Sequence, residues 1–165
     1  MVSKTLDDLF YETLRDMLYA EKKILRTLPK LARAVNSNEL RDAFMHHRDE
    51  TEGQVERLEG VFELIGKSPR GKTCDAIDGI LEEGSGIMED FKDNPALDAG
   101  VLAGAQAVEH YEISRYGTLI TWAKELGLSE GATLMATTLE QEVNADKLLT
   151  KIAVRAVNEA GRAKR

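Results

Sequence analysis

Apolar residues recur at intervals of three and four positions along most of this chain, the spacing that places side chains on one face of an α-helix. Segments rich in Asn, Gly and Pro interrupt the pattern and divide it into four long helices and a shorter one. The predicted long helices run from about Thr5 to Val35, from the turn Asn36–Glu39 to Gly66, from Asn94 to about Leu126 and from Ser129 to about Gly161, and the shorter helix runs from about Cys74 to Phe91.

Capping residues support these boundaries, because their side chains can accept hydrogen bonds from the first turn of the helix that follows. The predicted N-caps are Thr5, Asn36 (with Glu39 three residues later), Thr73, Asn94 and Ser129. Gly66 and Gly127 are expected to end the second and third long helices. Pro29 lies inside the first helix, where we expect a kink because an interior proline removes a hydrogen bond.

The lengths of the connections predict how the helices are arranged. Four long helices joined by a short, a long and a short connection form two antiparallel hairpins with a crossover between them. The helix in the crossover would cover roughly 25 Å, about the distance needed to place the third long helix parallel to the second. We therefore predict an all-α four-helix bundle in a single domain, residues 1–165. Glycines weaken the crossover helix and make it the part expected to move most: Gly79, Gly84 and Gly86.

Five glutamates interrupt the apolar stripes near the middle of the long helices. Glu109 and Glu112 lie three residues apart on the third long helix and therefore face the same way. Glu21, Glu50 and Glu142 lie on the stripes of the other three helices. The acids that lie about 14–16 residues from the turn of their hairpin are Glu21, Glu50, Glu112 and Glu142, so all four helices bring a carboxylate to nearly the same depth of the bundle.

A dry core cannot hold this many ionised carboxylates unless positive charge neutralises them. Two divalent cations bridged by glutamates would do so, as in known carboxylate-bridged two-metal bundles. An oxygen-rich ligand set favours iron or manganese, with magnesium as a further option, over structural zinc, which prefers Cys and His. The alternative is a salt-bridge network without metal, formed by Arg48, Arg115 or Lys22.

Composition narrows the function classes further. The net charge of −7 argues against general affinity for nucleic acid or anionic membranes, and we interpret the short basic C-terminal tail as a solvated chain end. A single cysteine, Cys74, fits a reducing compartment, and no segment has the composition of an export signal or a membrane span. We therefore expect a cytoplasmic protein without a nucleic-acid or membrane partner.

Three segments carry a resemblance to a known family: Ala20-Glu21-Lys22-Lys23, Val108-Glu109-His110-Tyr111-Glu112 and Tyr116-Gly117-Thr118-Leu119. The glutamates on successive helices resemble the ferritin-like superfamily, and the doubled glutamate of the third long helix is similar to rubrerythrin. Over essentially its whole length the chain more closely resembles the YciE/YciF family of bacterial stress-associated ferritin-like proteins. This resemblance implies a ferritin-like bundle, a homodimer and a metal site.

The chain departs from the rubrerythrin pattern at the nitrogen ligands. The pattern implies a His about three residues after the glutamates of the second and fourth long helices, where this chain has Gly53 and Ala145. Gln54 and Asp146 follow directly and are possible oxygen substitutes. His47 lies on the inner stripe and could approach the metals from the other side, or it could be a hydrogen-bonded core histidine.

Three classes of function follow. The leading one is a two-metal stress protein that oxidises Fe(II) with oxygen or removes peroxide, with no catalytic residue assigned. Its ligand roles, taken from position on the helices, are Glu21 and Glu142 as terminal ligands, Glu50 and Glu112 as bridges and Glu109 as a mobile additional carboxylate. The alternative is a non-enzymatic structural or stress dimer with a vestigial or structural metal site. Iron storage is the third class, although nothing in the sequence indicates assembly of a cage.

Overall fold

The computed structural model describes residues 3–162, so the last three residues of the basic tail and the first two residues of the predicted domain lie outside the described residues. Helices make up most of the chain, and the predicted all-α fold with four long helices and a shorter one in the crossover is confirmed. They are α1 (Leu6–Ala34), α2 (Asn38–Leu64), α3 (Asp75–Asp90), α4 (Leu97–Glu125) and α5 (Ser129–Ile152), followed by a π-helix (Ala153–Val157) and a last turn, α6 (Asn158–Ala160).

The helices pair as two hairpins, α1 with α2 and α4 with α5, and α3 crosses between them along α4. Gly66 and Gly127 have positive φ angles of 65° and 73°, and they follow α2 and α4 as predicted. Thr5 precedes α1 as predicted, with its backbone N–H donating to Asp8 at 2.8 Å. Helix α1 continues through Pro29 without interruption.

Four predicted N-caps are wrong by one to two residues: Cys74, Ala96 and Leu128 precede α3, α4 and α5 in place of Thr73, Asn94 and Ser129. At α2 the cap is Ser37, not Asn36, and its hydroxyl accepts a hydrogen bond from the backbone N–H of Leu40 at 3.2 Å. The carboxylate of Asp98, on α4, accepts the backbone N–H groups of Asn36 and Ser37 and so ties this turn to the other hairpin.

The buried side chains form two apolar clusters, one toward each end of the bundle. One cluster includes Leu28, Phe44 and Val101, and the other includes Phe10 and Phe62. Between them on the four long helices lie the buried polar residues of the described chain, which we call the polar layer. Its members are Glu21, His47, Thr51, Gln54, Glu109, Glu112, Thr138 and Glu142. The fold therefore concentrates its buried polar chemistry in one slice near mid-length.

Helix α3 is fixed mainly through its first turns. Ile77 is fully buried, and Asp78 accepts a hydrogen bond from the Tyr19 hydroxyl and pairs with Lys23. Further along, the helix approaches α4 closely, because a Cβ atom added at Gly100 would lie 2.6 Å from Cγ2 of Ile87. The crossover thus packs directly over the α4 segment that precedes the polar layer.

Candidate metal centre

The polar layer brings four glutamates from three helices to the middle of the bundle. Glu21 lies on α1, Glu109 and Glu112 on α4, and Glu142 on α5, and their exposed fractions are 0%, 3%, 0% and 0%. Each has an apolar residue three or four positions away, so formation of the amphipathic helix also buries the carboxyl group. Helix packing therefore places four carboxyl groups in a space from which water is excluded.

Helix α2 contributes His47, which is 5% exposed. Its Nε2 atom lies 3.4 Å from Oε1 of Glu109 and 3.4 Å from Oε2 of Glu142, while Nδ1 lies 3.1 Å from Oε2 of Glu50. One ligand atom from each of His47, Glu109, Glu112 and Glu142 belongs to a group whose members all lie within 4.8 Å of one another. Such a group is compact enough for its members to share a metal ion.

The converging atoms are poorly satisfied by the protein. Seven buried side-chain atoms of the layer have no hydrogen-bond partner among the described residues. They are Oε2 of Glu21, Nε2 of His47, Oε1 of Gln54, Oε2 of Glu109, both carboxylate oxygens of Glu112 and Oε2 of Glu142. An unsatisfied buried polar group costs about 1–3 kcal/mol, and native interiors contain few of them. The concentration of such atoms in one slice indicates that the protein alone does not complete this site.

Two neighbouring side chains fix the orientation of individual carboxylates. The hydroxyl of Tyr116, itself fully buried, donates to Oε1 of Glu21. The side-chain amide of Gln54 donates to Oε1 of Glu142 and, at 3.2 Å, to Oε1 of Gln141. In Glu21 and Glu142, one carboxylate oxygen is held by such a hydrogen bond, and the other oxygen faces the centre.

Burial and mutual repulsion shift the proton equilibria of the cluster. Burial, together with the charge of Glu142, raises the pKa of Glu21 to about 7. Burial also raises the pKa values of Glu109 and Glu112 well above the usual range. Burial alone would lower the pKa of His47, but the surrounding carboxylates outweigh it and raise that pKa. Burial would also raise the pKa of Glu142, but the proximity of the Glu109 carboxyl and of His47 outweighs burial, and that pKa is lowered.

The basic side chains proposed for a metal-free salt-bridge network are engaged elsewhere. Lys22 pairs with Glu59 at 3.1 Å. Arg48 pairs with two acids of its own helix, at 2.9 Å and 2.6 Å. The guanidinium of Arg115 lies 5.4 Å from the centre of the Tyr111 ring. Within residues 3–162, His47 is the only potentially cationic side chain in ion-pair contact with the four glutamates, which makes neutralisation by Lys or Arg a poor account of the layer.

A family model with the description "Domain of unknown function (DUF892)" matches residues 5–161. The chain belongs to this family. Protein YciF of Escherichia coli strain K12 is 44% identical over 160 residues, which cover 96% of each chain. Among solved structures, the E. coli stress protein YciF superimposes with a TM-score of 0.90 at 42% identity, covering 95% of this chain and 99% of that one.

A second solved structure, YcfI from Rhodopseudomonas palustris, is described as a candidate structural protein. It has a TM-score of 0.88 and 42% identity, covering 91% of the present chain and 96% of the other. The sequence resemblance to YciF-like proteins and the bundle it implied are thereby confirmed.

In this DUF892 chain, three further predicted ligands lie at different distances from the centre of the layer. Glu50 lies at the rim, with 23% of its side chain exposed, between Nδ1 of His47 at 3.1 Å and Nε2 of His46 at 3.5 Å. Gln54 is buried within the layer. Asp146 lies away from the centre, where its carboxylate accepts a hydrogen bond from Gln106 at 3.1 Å.

The sequence did not predict a row of hydrogen-bonded side chains, Arg57, Thr138 and Gln141, on the α2–α5 side of the layer. The guanidinium of Arg57 donates to the hydroxyl of Thr138 at 3.0 Å and to Oε1 of Gln141, which also accepts from Gln54. Arg57 lies three residues after Gln54 and Gln141 directly precedes Glu142, so their spacing relative to the ligands was the available signal. This row supports Gln54 and, through it, Glu142.

The donor set of this DUF892 chain could hold a metal ion. Carboxylate oxygens with one imidazole nitrogen suit divalent metals, and the partnerless atoms lie on the residues that would act as ligands. A coordinated carboxylate is deprotonated, so a bound cation would also offset the burial and repulsion that raise the pKa values of Glu109 and Glu112. Among the described residues, no helix is both long enough and apolar enough to cross a bilayer.

Proposed function

We propose that this chain is a bacterial stress protein that holds two divalent ions, iron or manganese, in its polar layer and uses them in Fe(II) oxidation or peroxide removal. The observation that carries the proposal is the set of seven partnerless buried atoms on six residues of the layer. The stress context is supported by the similarity to the E. coli stress protein YciF.

Glu109, Glu112, Glu142 and His47 are the proposed central ligands, because their ligand atoms lie within 4.8 Å of one another. Glu21 is the proposed fifth ligand, since it is fully buried and has a partnerless oxygen. When bound, the metals would supply the change of oxidation state that these side chains do not provide.

The surrounding residues prepare the ligands. Tyr116 and Gln54 hold Glu21 and Glu142 in fixed orientations through hydrogen bonds. Glu50 contacts Nδ1 of His47, which leaves Nε2 directed at the centre and favours one ring orientation. The two apolar clusters on either side exclude water, which strengthens the interaction between carboxylates and a cation.

A non-enzymatic structural role is the second candidate, and the description of YcfI as a candidate structural protein favours it. The predicted homodimer belongs to either candidate, and iron storage would require a much larger shell. Sedimentation velocity separates storage from the other two candidates: a dimer is the expected species, and a shell of many subunits would favour storage.

The test is the metal content of protein purified without chelator and reconstituted anaerobically with Fe(II). We expect about two ions per chain, as in other carboxylate-bridged bundles. Disappearance of Fe(II) on exposure to air or peroxide, followed with a ferrous-specific chelator, then tests the redox role. Bound metal without consumption of either oxidant would favour the structural role.

The matched variants are a double change of central ligands, Glu109→Gln with Glu112→Gln, and a surface change, Glu59→Gln. The double variant should lose the stoichiometric metal, and the surface variant should keep it. Unchanged metal content in the double variant would overturn the ligand assignment, because the metal would then lie elsewhere on this acidic protein.

A further inference from the structure

Two cavities reach Glu109 from different sides of the bundle. The polar cavity, of about 70 Å³, lies between α2 and α5 and is lined by His46, His47, Glu50 and Glu109, among others. On the α1–α4 side, below the crossover helix α3, lie two adjoining voids of about 30 Å³ and 20 Å³. We call this pair the apolar cavity.

The two voids of the apolar cavity share much of their lining. The shared residues are Thr27, Leu31, Leu81, Ala105 and Val108. The outer void extends to Ser85 on the exposed side of α3, and the inner void ends at Glu109. The apolar cavity therefore follows a line from the crossover helix to the metal centre.

The lining of the apolar cavity is unfavourable for water. Its polar groups are far apart: Ser85 lies at the exposed end, the hydroxyl of Thr27 already donates to the backbone carbonyl of Lys23 at 2.9 Å, and Glu109 lies at the inner end. A buried water needs two to four polar partners, and apolar cavities without them stay dry and accept xenon or small hydrocarbons. A small uncharged molecule that makes no hydrogen bonds is therefore the ligand class that suits this space.

The polar cavity differs because its lining adds two histidines and two glutamates to apolar residues that include Phe44 and Leu148. The carboxylate and imidazole groups can ligate a cation, and they give water the polar partners that it lacks in the apolar cavity. Both cavities end at the same carboxylate, Glu109, so an ion and an apolar molecule can approach the centre without sharing a path.

We propose that the apolar cavity below α3 is a binding site for dioxygen next to Glu109. Its occupation by an apolar gas rests on the cavity alone, and the assignment of that gas as the oxidant of the centre rests on the proposed function. On α3, Gly84 lines the outer void, and a Cβ atom there would meet nothing within 4 Å, so the void keeps open space beside this helix.

The first test uses xenon on the metal-free protein, followed through methyl resonances of labelled Leu and Val. Xenon should shift the methyl signals of Leu31, Leu81 and Val108 and leave those of Leu148, in the polar cavity, in place. Absence of shifts at the first three residues, or shifts at Leu148 alone, would overturn the proposal.

Ala105→Leu should fill the space that both voids share and reduce the xenon shifts by about threefold or more. Leu81→Phe fills the same space from α3 and serves if the first variant fails to fold. Ala43→Leu, in the lining of the polar cavity, is the control and should leave the shifts unchanged. Xenon shifts that persist in both filling variants would place the gas elsewhere.

The second test uses iron-loaded protein. Ala105→Leu should bind the wild-type amount of Fe(II) and react about threefold or more slowly at low oxygen, with a raised KM for oxygen and a similar kcat. A wild-type oxygen dependence in a variant that no longer binds xenon would overturn the dioxygen assignment. If wild-type protein binds no metal, the proposed function and the dioxygen assignment fail, while the xenon result still decides whether the cavity binds an apolar gas.

Discussion

Glu112 has the least compensation of the buried acids, because neither of its oxygens has a hydrogen-bond partner among the described residues. Its nearest acidic neighbours include Glu21, whose second oxygen is also without a partner. Burial and repulsion raise both pKa values, so without metal such a pair takes up protons. The same residues thus destabilise the metal-free fold and prepare it to bind cations.

The first prediction concerns Glu112→Gln in metal-free protein. The amide keeps the volume of the side chain, removes the ionisable group and can donate a hydrogen bond to Glu21. The free energy of unfolding at pH 7 should therefore rise by about 1–3 kcal/mol, measured by urea denaturation. Glu59→Gln, at an exposed ion pair, should change it by less than about 1 kcal/mol. Marked destabilisation by Glu112→Gln would show that this carboxylate already has a compensating partner.

The second prediction concerns pH and the metal-free protein. The folded-state pKa of Glu21, about 7, lies above its ordinary value, so folding binds protons and this stabilisation is lost as pH rises through about 7. The raised pKa values of Glu112 and His47 act in the same direction. The lowered pKa of Glu142 matters only in more acidic solution.

Thermal midpoints of chelator-treated protein should therefore fall from pH 5.5 to pH 8, by about 2–4 °C for each kcal/mol lost. The fall should be smaller in the double variant Glu21→Gln with Glu112→Gln. A midpoint that rises over this interval would contradict the raised pKa values.

At the scale of residues, the sequence predicted which acids are buried together better than it predicted how each side chain is oriented. Glu21, Glu109, Glu112 and Glu142 were found because four helices carry an acid on the apolar stripe at one depth. Position along a helix does not determine which way a side chain at the edge of the stripe turns. Glu50 consequently lies at the rim, and Asp146 contacts Gln106 outside the centre.

Among helices α1 to α5, the crossover helix α3 is the one whose position depends on the fewest buried side chains. Most of its residues are exposed or half-buried, and Ile77 is its fully buried side chain. Its position over α4 requires the absence of a side chain at Gly100. Its own glycines have no such packing role, since a Cβ atom at Gly79 or Gly84 would meet nothing within 4 Å.

The third prediction compares two Gly→Ala changes. Gly100→Ala forces Ile87 away and should lower the free energy of unfolding by about 1–3 kcal/mol. Gly79→Ala, at an exposed site in α3, should raise it by about 0.5–1 kcal/mol, because alanine favours the helix. Chemical denaturation measures both. Equal effects of the two changes would contradict the close approach of α3 to α4.

The ends of the elements show where sequence reasoning stops. The order and type of the helices follow from local periodicity, and the ends of α2 and α4 follow from glycines at positive φ. The start of α2 was misplaced by one residue because Asn36 and Ser37 are both favourable N-cap residues, and it is the Ser37 hydroxyl that accepts from Leu40. The turn is also held by Asp98, which is remote in sequence. A contact between hairpins leaves no local signal in the chain.

At the scale of the molecule, two apolar clusters hold a polar layer between them, so the stability of the bundle and the occupation of the layer are coupled. Any ligand that binds the folded chain and not the unfolded chain raises the free energy of unfolding, by about 2.7 kcal/mol at a free concentration of 100 Kd. For a chain of this size such a gain is roughly 5–10 °C in the thermal midpoint.

The last prediction is that Mn(II) raises the midpoint by about this amount. The control must separate the polar layer from the surface, because a net charge of −7 also attracts cations to exposed acids. Surface attraction weakens as salt is added, whereas binding to buried ligands is screened much less. The wild-type shift should therefore persist in about 0.3 M salt, where the Debye length is short, and vanish in the double variant Glu109→Gln with Glu112→Gln. An equal shift in that variant would mean that the metal stabilises the protein from its surface. Protonation alone would then have to compensate the partnerless atoms of the layer.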